Sequence, residues 1–358
     1  MHNSKNNRNL ATGLILTVIA FSCLSQIRAQ GPWSQQDSPI GSDLESVFFV
    51  DANNGWIAAE NGRILHTSNG GSSWQEQTAP PGTRDLESIF FIDASRGWAV
   101  GDSGHIVHTN NGGTSWNFQP SGKFISFKSV FFIDANTGWA AGKSGTIIKT
   151  TDGGGQWADS STQDLFMDFN SIFFADANNG WAVGAGHPRI VRTTDGGVTW
   201  TGQSLPPNFE AILESVFFVD ANNGWAVGAF SILSTLNGGN TWTSQQFDPS
   251  TPLNSVFATS TNNAWAVGIN GRIFRTTDGG SQWVLEETPI FFELESVFFV
   301  GEKGWSVSEE GRILVRAASS VTPTVLAANF MNGDNSILSS RVYLFNPSAI
   351  AGDRKSVV

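Results

Sequence analysis

Residues 44–77 read LESVFFVDANNGWIAAENGRILHTSNGGSSWQEQ, and close copies of this unit follow one another along most of the chain. Four stretches of the unit, ESVFFVD, GWIAA, GRILHT and SSWQEQ, have the composition of short β-strands. The DANN, ENG and SNGG segments between them have the composition of tight turns. Outside the N-terminal segment no stretch carries a sustained helical period. The unit therefore predicts four strands joined by turns.

Two series of tryptophans count the copies. The first series follows Gly, or Ala264 in one copy: Trp56, Trp98, Trp139, Trp181, Trp225, Trp265 and Trp305. The second series follows Gly-Gly: Trp74, Trp116, Trp157, Trp200, Trp242 and Trp283. Both series recur about every 42 residues, a period that indicates a solenoid, a propeller or an array. Four strands in each repeat favour a propeller blade over the shorter coils of a β-helix.

The last copy stops after its third strand, and the segment before the first copy offers the missing one. Trp33 precedes Trp56 by 23 residues, and the same interval in complete copies is 22 to 25. GPWSQQ, residues 31–36, should therefore be the outer strand of the last blade, which removes a free sheet edge. We predict an all-β, seven-bladed β-propeller of four-stranded blades over residues 31–318, closed by the N-terminal strand.

The composition excludes several classes of protein. Hydrophobic residues make up 40% of the chain, too many for a disordered protein. A single cysteine excludes a disulfide framework and a Cys-rich zinc site. The formal net charge of -11 argues against nucleic-acid binding, which needs a basic surface.

The N-terminus has the features of a secretory signal peptide over residues 1–29. A basic segment precedes the apolar run LATGLILTVIAFSCL, which is too short for a comfortable transmembrane helix. We therefore expect export to the periplasm, the cell surface or the extracellular space, with no transmembrane segment in the mature chain. Two alternatives stay open, a lipoprotein acylated at Cys23 and an uncleaved anchor.

The C-terminal residues lie outside the repeats. Residues 319–352 contain Tyr343, the one tyrosine of the chain, and we interpret them as a linker or as the start of a truncated C-terminal sorting domain. Leu344–Ser348 resembles the beginning of the sorting tails used by type IX secretion. The last six residues, DRKSVV, translate one reading frame of a common sequencing adapter, so we interpret residues 353–358 as an adapter artefact.

The turn before each second-series tryptophan resembles the Asp-box, also called the bacterial neuraminidase repeat (BNR). Its key positions are Asn69, Asn111, Asp152, Asp195, Asn237 and Asp278. A short carboxylate or amide accepts hydrogen bonds from its own turn, and Gly-Gly supplies the unusual φ angles, so the expected role is structural. Calcium at Asp152, Asp195 and Asp278 is the alternative, but these sites lack the several convergent oxygens that calcium needs. We expect no metal.

The Asp-box also raises the possibility of sialidase chemistry. That resemblance requires a tyrosine nucleophile, and the single tyrosine lies beyond the predicted propeller. The sequence also lacks a Ser-His-Asp, HExxH or phosphate-loop motif. We therefore expect no catalytic residues and no cofactor, and a glycan-binding or glycan-hydrolysing surface protein stays as the alternative.

The whole unit, FFxDxxNGWAVGxxGxIxxTxDGGxTW, closely resembles the photosystem II stability/assembly factor family. The resemblance covers all seven predicted blades. It implies an exported, non-enzymatic protein that binds other proteins during assembly, and we expect a monomer that binds a protein partner. A purely structural domain of a longer surface protein is a further alternative.

Members of that family are associated with a basic patch, and the third strand carries two rows of basic residues here. The first row follows the turn glycine or its equivalent: Arg63, His105, Arg189, Arg272 and Arg312. The second row comes three residues after the corresponding position: His66, His108, Lys149, Arg192 and Arg275. Because equivalent positions of a propeller form rings, we predict a basic arc that binds an acidic partner. Charge pairing with neighbouring carboxylates is the alternative.

An acidic series marks the start of the first strand. Its members are Glu45, Glu87, Glu214 and Glu295, interrupted by Lys128, Asn170 and Asn254. The first strand is the innermost strand of a blade, so we expect these carboxylates at the rim of the central channel. Asp51, Asp93, Asp134, Asp176 and Asp220 end the same strand, and we expect them to cap the DANN-type turns.

Overall fold

The computed structural model describes residues 32–161, 166–248 and 250–318, and the backbone of two further strands. These two strands, Thr324–Met331 and Ile337–Phe345, pair with each other in an antiparallel sheet. The predicted signal peptide over residues 1–29 and residues 353–358, interpreted as an adapter artefact, lie outside the described residues, so both interpretations stay predictions. The interpretation of residues 319–352 stays a prediction.

The described strands are numbered β1–β30 along the chain and form seven four-stranded antiparallel sheets and one two-stranded sheet. Strand β1 spans Trp33–Gln36. Blade 1 contains β2 (Leu44–Phe49), β3 (Gly55–Ala59), β4 (Arg63–Thr67) and β5 (Gln75–Gln77). Blade 2 contains β6 (Leu86–Phe91), β7 (Gly97–Gly101), β8 (Ile106–Thr109) and β9 (Asn117–Gln119). Blade 3 contains β10 (Phe127–Phe132), β11 (Gly138–Gly142), β12 (Ile147–Thr150) and β13 (Ala158–Asp159).

Blade 4 contains β14 (Phe166–Phe174), β15 (Gly180–His187), β16 (Ile190–Thr193) and β17 (Thr201–Gly202). Blade 5 contains β18 (Leu213–Phe218), β19 (Gly224–Gly228), β20 (Ser231–Thr235) and β21 (Thr243–Ser244). Blade 6 contains β22 (Leu253–Ala258), β23 (Ala264–Gly268), β24 (Ile273–Thr276) and β25 (Val284–Glu286). Blade 7 contains β26 (Leu294–Val300), β27 (Lys303–Ser308) and β28 (Arg312–Arg316). The paired strands outside the blades are β29 (Thr324–Met331) and β30 (Ile337–Phe345). Short 3-10 turns occur at Glu60–Gly62, Asp102–Gly104, Ile269–Gly271 and Glu309–Gly311.

The ring closes as the tryptophan spacing predicts. The sheet of blade 7 has the order β1-β28-β27-β26, and Trp33 lies opposite Arg316 in an antiparallel pair. The indole of Trp33 is fully buried. It meets the ring of Phe299 edge-on, with centroids 5.9 Å apart, as Trp74 meets Phe49 in blade 1. Trp33 therefore takes the place of the missing second-series tryptophan, and the predicted seven-bladed propeller is confirmed.

The Gly-Trp pair has a packing reason. In blade 1 the ring of Phe49 lies over Gly55, and a Cβ on that glycine would lie 2.3 Å from the ring. Blade 6 carries Ala258 at the position of this phenylalanine, and Ala264 opposite it at the position of the glycine. The missing ring leaves room for a methyl group. The one exception in the Gly-Trp series, Ala264, is therefore compensated by the smaller residue Ala258 opposite it.

The same phenylalanine joins neighbouring blades. Phe49 stacks on Trp305 of blade 7 with centroids 3.6 Å apart, and Phe91 stacks on Trp56 of blade 1 at the same distance. Each first-strand phenylalanine thus packs against a second-strand tryptophan of the preceding blade. The indole of that tryptophan also donates a hydrogen bond forward, as from Trp56 Nε1 to Gly112 O in the Asp-box of blade 2 (3.3 Å). The first tryptophan series therefore joins each blade to the next.

Candidate functional site

The alternating strands divide the propeller into two faces. The mouth face carries the starts of the first strands, the turns between second and third strands, and the connections between blades. The box face carries the DANN-type turns and the Asp-boxes, which touch each other through the hydrogen bond from Gly70 N to Asn53 O (2.8 Å). Every candidate residue falls on one of these two faces.

The mouth face brings the predicted acidic series together around the channel. Lys128 Nζ lies 2.7 Å from Glu87 Oε1 of the preceding blade. Asn170 Nδ2 donates to Glu214 Oε2 of the following blade at 2.7 Å. The residues that interrupt the series are therefore its hydrogen-bond and ion-pair partners, and the positions of one ring hold each other in place.

The carboxylates of this ring are unusual in their protonation. Burial raises the pKa of Glu45 to about 7, and the neighbouring charge of Glu87 adds to the effect. Burial, followed by the charge of Glu293, raises the pKa of Glu295 to about 8. Burial also raises the pKa of Glu214. The carboxyl groups of the mouth therefore titrate near neutral pH. A cation placed beside them would favour the ionised carboxylates.

A ring of phenylalanines from the innermost strands runs around the channel. Neighbouring rings stand 4.6–5.0 Å apart from centroid to centroid, and the last contacts the first. The members are Phe48, Phe90, Phe131, Phe173, Phe217, Phe257 and Phe298. This ring was not predicted from the sequence, although the repeated Phe-Phe doublet indicates it: one ring of the doublet faces the channel and the other faces the neighbouring blade.

The first basic row lies on the mouth face and is largely neutralised. Arg63 Nε lies 2.7 Å from Glu76 Oε1, and Arg312 pairs with Glu310 at 3.3 Å. Arg272 pairs with Asp248. The remaining members are Arg189, which lies 3.7 Å from Glu210 Oε2, and His105, whose Nδ1 accepts a hydrogen bond from Arg84 N. Its arginines are therefore engaged by carboxylates of the same face.

The second basic row lies on the box face, each member beside the tryptophan that it faces across the strand pair. Lys149 Nζ lies 5.1 Å from the ring centroid of Trp139, and Arg192 lies 5.4 Å from that of Trp181. His66 and His108 stack on Trp56 and Trp98. Arg275 covers Trp265 and also pairs with Glu286 at 3.7 Å.

Protonation and pairing differ along this row. Burial lowers the pKa of His66 and of His108, so both imidazoles are neutral at pH 7. Lys149 donates to Gly196 O at 2.9 Å, and Arg192 lies near the side chains of Asn179 and Asn240. Within the residues that the structure describes, neither Lys149 nor Arg192 forms an ion pair. These two cations keep their charge available.

The structure does not bring the two basic rows together into one arc. Their members stand three residues apart on one short strand, near its two ends and on its two sides. One row therefore emerges on the mouth face and the other on the box face. Blade 5 carries Ser231 and Ser234 at the two positions and contributes to neither row.

The Asp-box residues bond within their own turns. In blade 4, Asp195 Oδ1 accepts from Thr199 N at 2.9 Å and from Thr193 Oγ1 at 2.7 Å. The Thr199 hydroxyl and amide lower the pKa of Asp195 to about 2. The same bond from the amide four residues on is made by Asn69, Asn111, Asp152, Asn237 and Asp278. The amide oxygen of Asn and the carboxylate oxygen of Asp thus accept the same hydrogen bond within the turn.

The aspartates that end the first strands act in the same local way. Asp51 Oδ1 accepts from Asn53 N and Asn54 N at 2.7 and 2.8 Å. Equivalent bonds are made by Asp93, Asp134, Asp176 and Asp220. In the described part of the chain, the acidic groups close enough to share one cation are Glu293, Glu295 and Glu309 at the mouth, and not the Asp-box residues.

Comparison with known proteins identifies the family. The family model described as photosynthesis system II assembly factor YCF48 matches residues 25–123, 123–208 and 159–284. The chain belongs to the YCF48 family. The resemblance inferred from the repeat is thereby confirmed, whereas no curated protein matches the sequence at a significant level.

Solved structures agree with this fold. A YCF48 structure bound to D1 peptide is 20% identical and has a TM-score of 0.68, covering 80% of this chain and 97% of its own. YCF48 from Cyanidioschyzon merolae is 19% identical with a TM-score of 0.65, covering 81% and 99%. An inactive variant of virginiamycin B lyase from Staphylococcus aureus with quinupristin is 15% identical with a TM-score of 0.67, covering 79% and 98%. At these identities the likeness shows the propeller fold alone.

No helix in the described part of this YCF48-family chain has the length and apolarity needed to span a membrane.

Proposed function

We propose that this protein is a non-enzymatic propeller that binds a partner protein during assembly, and that its box face receives an acidic segment of that partner. Membership of the YCF48 family supports the assembly role. A YCF48 solved with D1 peptide supports peptide binding as the mode of recognition. The proposal concerns the class of partner, a protein segment rich in carboxylates.

The observation that carries the proposal is a pair of neighbouring cations, on blades 3 and 4, that form no ion pair with a described carboxylate. Lys149 and Arg192 occupy equivalent positions of neighbouring blades, and each is held over an indole ring. Neither is paired with a carboxylate in the described residues, unlike the arginines of the mouth face. A cation already fixed over an aromatic ring loses little side-chain entropy when it binds an anion.

The Asp-boxes support a non-enzymatic role. The glycan alternative starts from these motifs, yet their side-chain oxygens bond to the backbone and hydroxyls of their own turns. The lyase neighbour is similar in fold at 15% identity, which carries no chemistry over to this chain. Hydrolysis of any substrate in a glycan panel would contradict the non-enzymatic proposal.

The binding experiment compares one charge reversal on each face. The probe is a fluorescein-labelled peptide with the core Asp-Glu-Ser-Glu, measured by fluorescence anisotropy. Arg192→Glu should weaken binding roughly tenfold, because it removes a fixed cation and adds repulsion. Arg63→Glu makes the same change of charge on the mouth face and should leave the affinity within about twofold of the wild type. Equal losses in both variants would indicate an effect of net charge and would contradict the proposed surface.

We also propose that the protein is exported to the periplasm, the cell surface or the extracellular space. The support is the leader-like sequence of residues 1–29, which lies outside the described residues. Mass spectrometry of the N-terminus of the protein isolated from its source tests this, and a retained leader on a cytoplasmic protein would contradict it.

A further inference from the structure

Blade 5 departs from the repeat at the turn between its second and third strands. Gly228–Ile232 takes five residues where Gly101–Ile106 of blade 2 takes six, because the turn glycine is missing. Phe230 occupies the left-handed position of the turn, with φ 58. The equivalent left-handed residues of other blades are polar: Asn61, Ser103, Ser144, Asn270 and Glu310.

Phe230 destabilises the unbound protein in two ways. Left-handed backbone is costly for a bulky side chain, whereas Asn and Ser tolerate it better. The ring is also 56% exposed to solvent. A strained backbone that displays an aromatic ring to water indicates a functional constraint at that position.

A cleft of about 460 Å³ lies beside this turn. In blade 6 the turn glycine packs so closely on the next connection that a Cβ on Gly271 would lie 2.2 Å from Ile290 O. Blade 5 has no such glycine, and its turn borders an open space instead. The rings of Phe209, Phe230 and Phe247 line this space.

Blade 1 provides the matched comparison. Its equivalent cleft measures about 310 Å³ and contains the ion pair between Arg63 and Glu76. In blade 5 the corresponding residues are Ser231 and Ser244, and both line the larger cleft. Blade 5 thus replaces the ion pair with two small hydroxyls and adds aromatic walls, so its cleft is larger and carries fewer charges than that of blade 1.

The cleft opens beside the acidic mouth. Ala211 lines the cleft, and Glu214 of the mouth ring follows three residues later, a distance of about 10 Å along an extended chain. Ile212 between them is 39% exposed. Glu210, on the cleft wall, has an exposed side chain. Among the described residues that line the cleft Glu210 is the one charged residue, and it lies 3.7 Å from Arg189, so the carboxylates open to a bound cation are those of the mouth.

The first two strands of blade 4 extend toward the cleft on the mouth face. These strands continue past those of other blades, and Asp168 pairs with Ala185 in the extension. His187 at the end of this extension lies 3.6 Å from Glu210 Oε2 of the cleft wall. The end of this two-stranded ribbon therefore contacts one residue of the cleft wall.

We propose that the blade 5 cleft binds an extended segment of a partner protein in which a bulky apolar side chain enters the cleft and a Lys or Arg three residues away reaches the mouth carboxylates. This inference rests on the proposed protein-binding function but uses the face opposite to the acidic-segment surface. Charge complementarity selects a basic-apolar segment over an acidic one. Burial raises the pKa of Glu214, the mouth carboxylate of the same blade, and a bound cation would favour its ionised form.

The test uses three labelled peptides with the cores Lys-Ser-Thr-Phe, Glu-Ser-Thr-Phe and Lys-Ser-Thr-Ala, measured by anisotropy against the full chain. The first should bind, and each of the other two should bind roughly tenfold more weakly. Affinity for the Lys-Ser-Thr-Phe peptide should rise from pH 6 to pH 9, because the carboxyl groups of the mouth must lose their protons before they bind its lysine. Failure of the wild type to bind the first peptide, or equal binding of all three, overturns the proposal.

Two variants locate the site. Phe230→Asn, which installs the residue of blade 1, should lose most of the binding while the thermal midpoint rises, a combination that simple misfolding does not produce. Ser231→Arg with Ser244→Glu rebuilds the ion pair of blade 1 inside the cleft and should also abolish binding. Phe291→Ser changes an 84% exposed ring of the mouth face outside the cleft lining and is the control.

The outcomes separate this inference from the proposed function. Acidic-peptide binding at Arg192 should be unchanged in the Phe230→Asn variant, so either site can fail alone. Unchanged binding of the Lys-Ser-Thr-Phe peptide by Phe230→Asn overturns the inference. A wild-type dimer in sedimentation that Phe230→Asn dissociates, without peptide binding, assigns the cleft to a second copy and overturns it as well.

Discussion

At the scale of single residues, the repeat is a set of mutually dependent side chains. The phenylalanine that ends the first strand needs a glycine across the strand pair, and it stacks on a tryptophan of the preceding blade. Blade 6 carries alanine at both positions of the first pair, Ala258 and Ala264. Natural variation within one chain thus displays the two packing solutions of the same site.

This packing predicts that substitutions of Phe91 and Gly97 in blade 2 have non-additive effects on stability. A Cβ on Gly97 would lie 2.5 Å from the ring of Phe91, so Gly97→Ala should destabilise by about 1–3 kcal/mol through overpacking. In the background of Phe91→Ala the same substitution should cost almost nothing. Urea unfolding of the four proteins measures the coupling, and costs that simply add would contradict the packing explanation. Ala264→Gly is the control, with an expected cost of about 0.5–1 kcal/mol.

The channel mouth predicts an unusual dependence of stability on pH. The pKa of Glu295, about 8 in the folded protein, lies above its ordinary value of 4.5. The folded state therefore binds more protons than the unfolded state between these values, and stability falls as pH rises through this window. Glu295→Gln should match the wild type near pH 5 and exceed it at pH 9 by roughly 1–2 kcal/mol in the free energy of unfolding.

Unfolding by guanidinium at both pH values measures this effect. Glu302→Gln, in an exposed turn of the same blade, is the control and should leave the pH profile of stability unchanged. A Glu295→Gln variant that loses stability at pH 9 would show that the carboxylate is stabilising and would contradict the prediction.

At the scale of elements, the short strand β1 holds the ring together. It lies far from β28 in sequence, yet it pairs with that strand along its whole length. Trp33 also ties this strand to blade 6, because its buried indole Nε1 donates to Glu286 Oε2 at 2.7 Å. A four-residue element thus decides whether blade 7 has three strands or four.

Loss of this contact should open the ring. Trp33→Ala removes a fully buried side chain and should cost about 3–5 kcal/mol in stability. The exposed edge of β28 should then increase proteolysis and aggregation. Ser34→Ala, on the exposed side of the same strand, is the control. Thermal unfolding together with limited proteolysis measures both effects, and a Trp33→Ala protein as stable as the control would contradict the closure by β1.

At the scale of the whole molecule, the two faces differ in chemistry. The mouth face gathers half-buried carboxylates near a ring of phenylalanines, and its arginines are paired. The box face presents cations on indole rings among turns held by their own aspartates. A net charge of -11 hides this division, because it sums over both faces. The two proposed binding surfaces therefore lie on opposite faces of the propeller.

The seven blades and their closure could be read from the chain because the tryptophan spacing is local and periodic: each copy repeats the same short-range pattern, and Trp33 completes the count. The acidic mouth was also predictable, since rotation places equivalent positions in one ring. The separation of the basic rows was not, because it depends on which end of a five-residue strand emerges on which face. The sequence also did not predict that Arg63 is paired with a carboxylate and Lys149 is not, because their partners come from other strands and other blades. The cleft of blade 5 depended on the tertiary structure most of all, since one absent glycine becomes a cavity only when two connections and a turn meet in space.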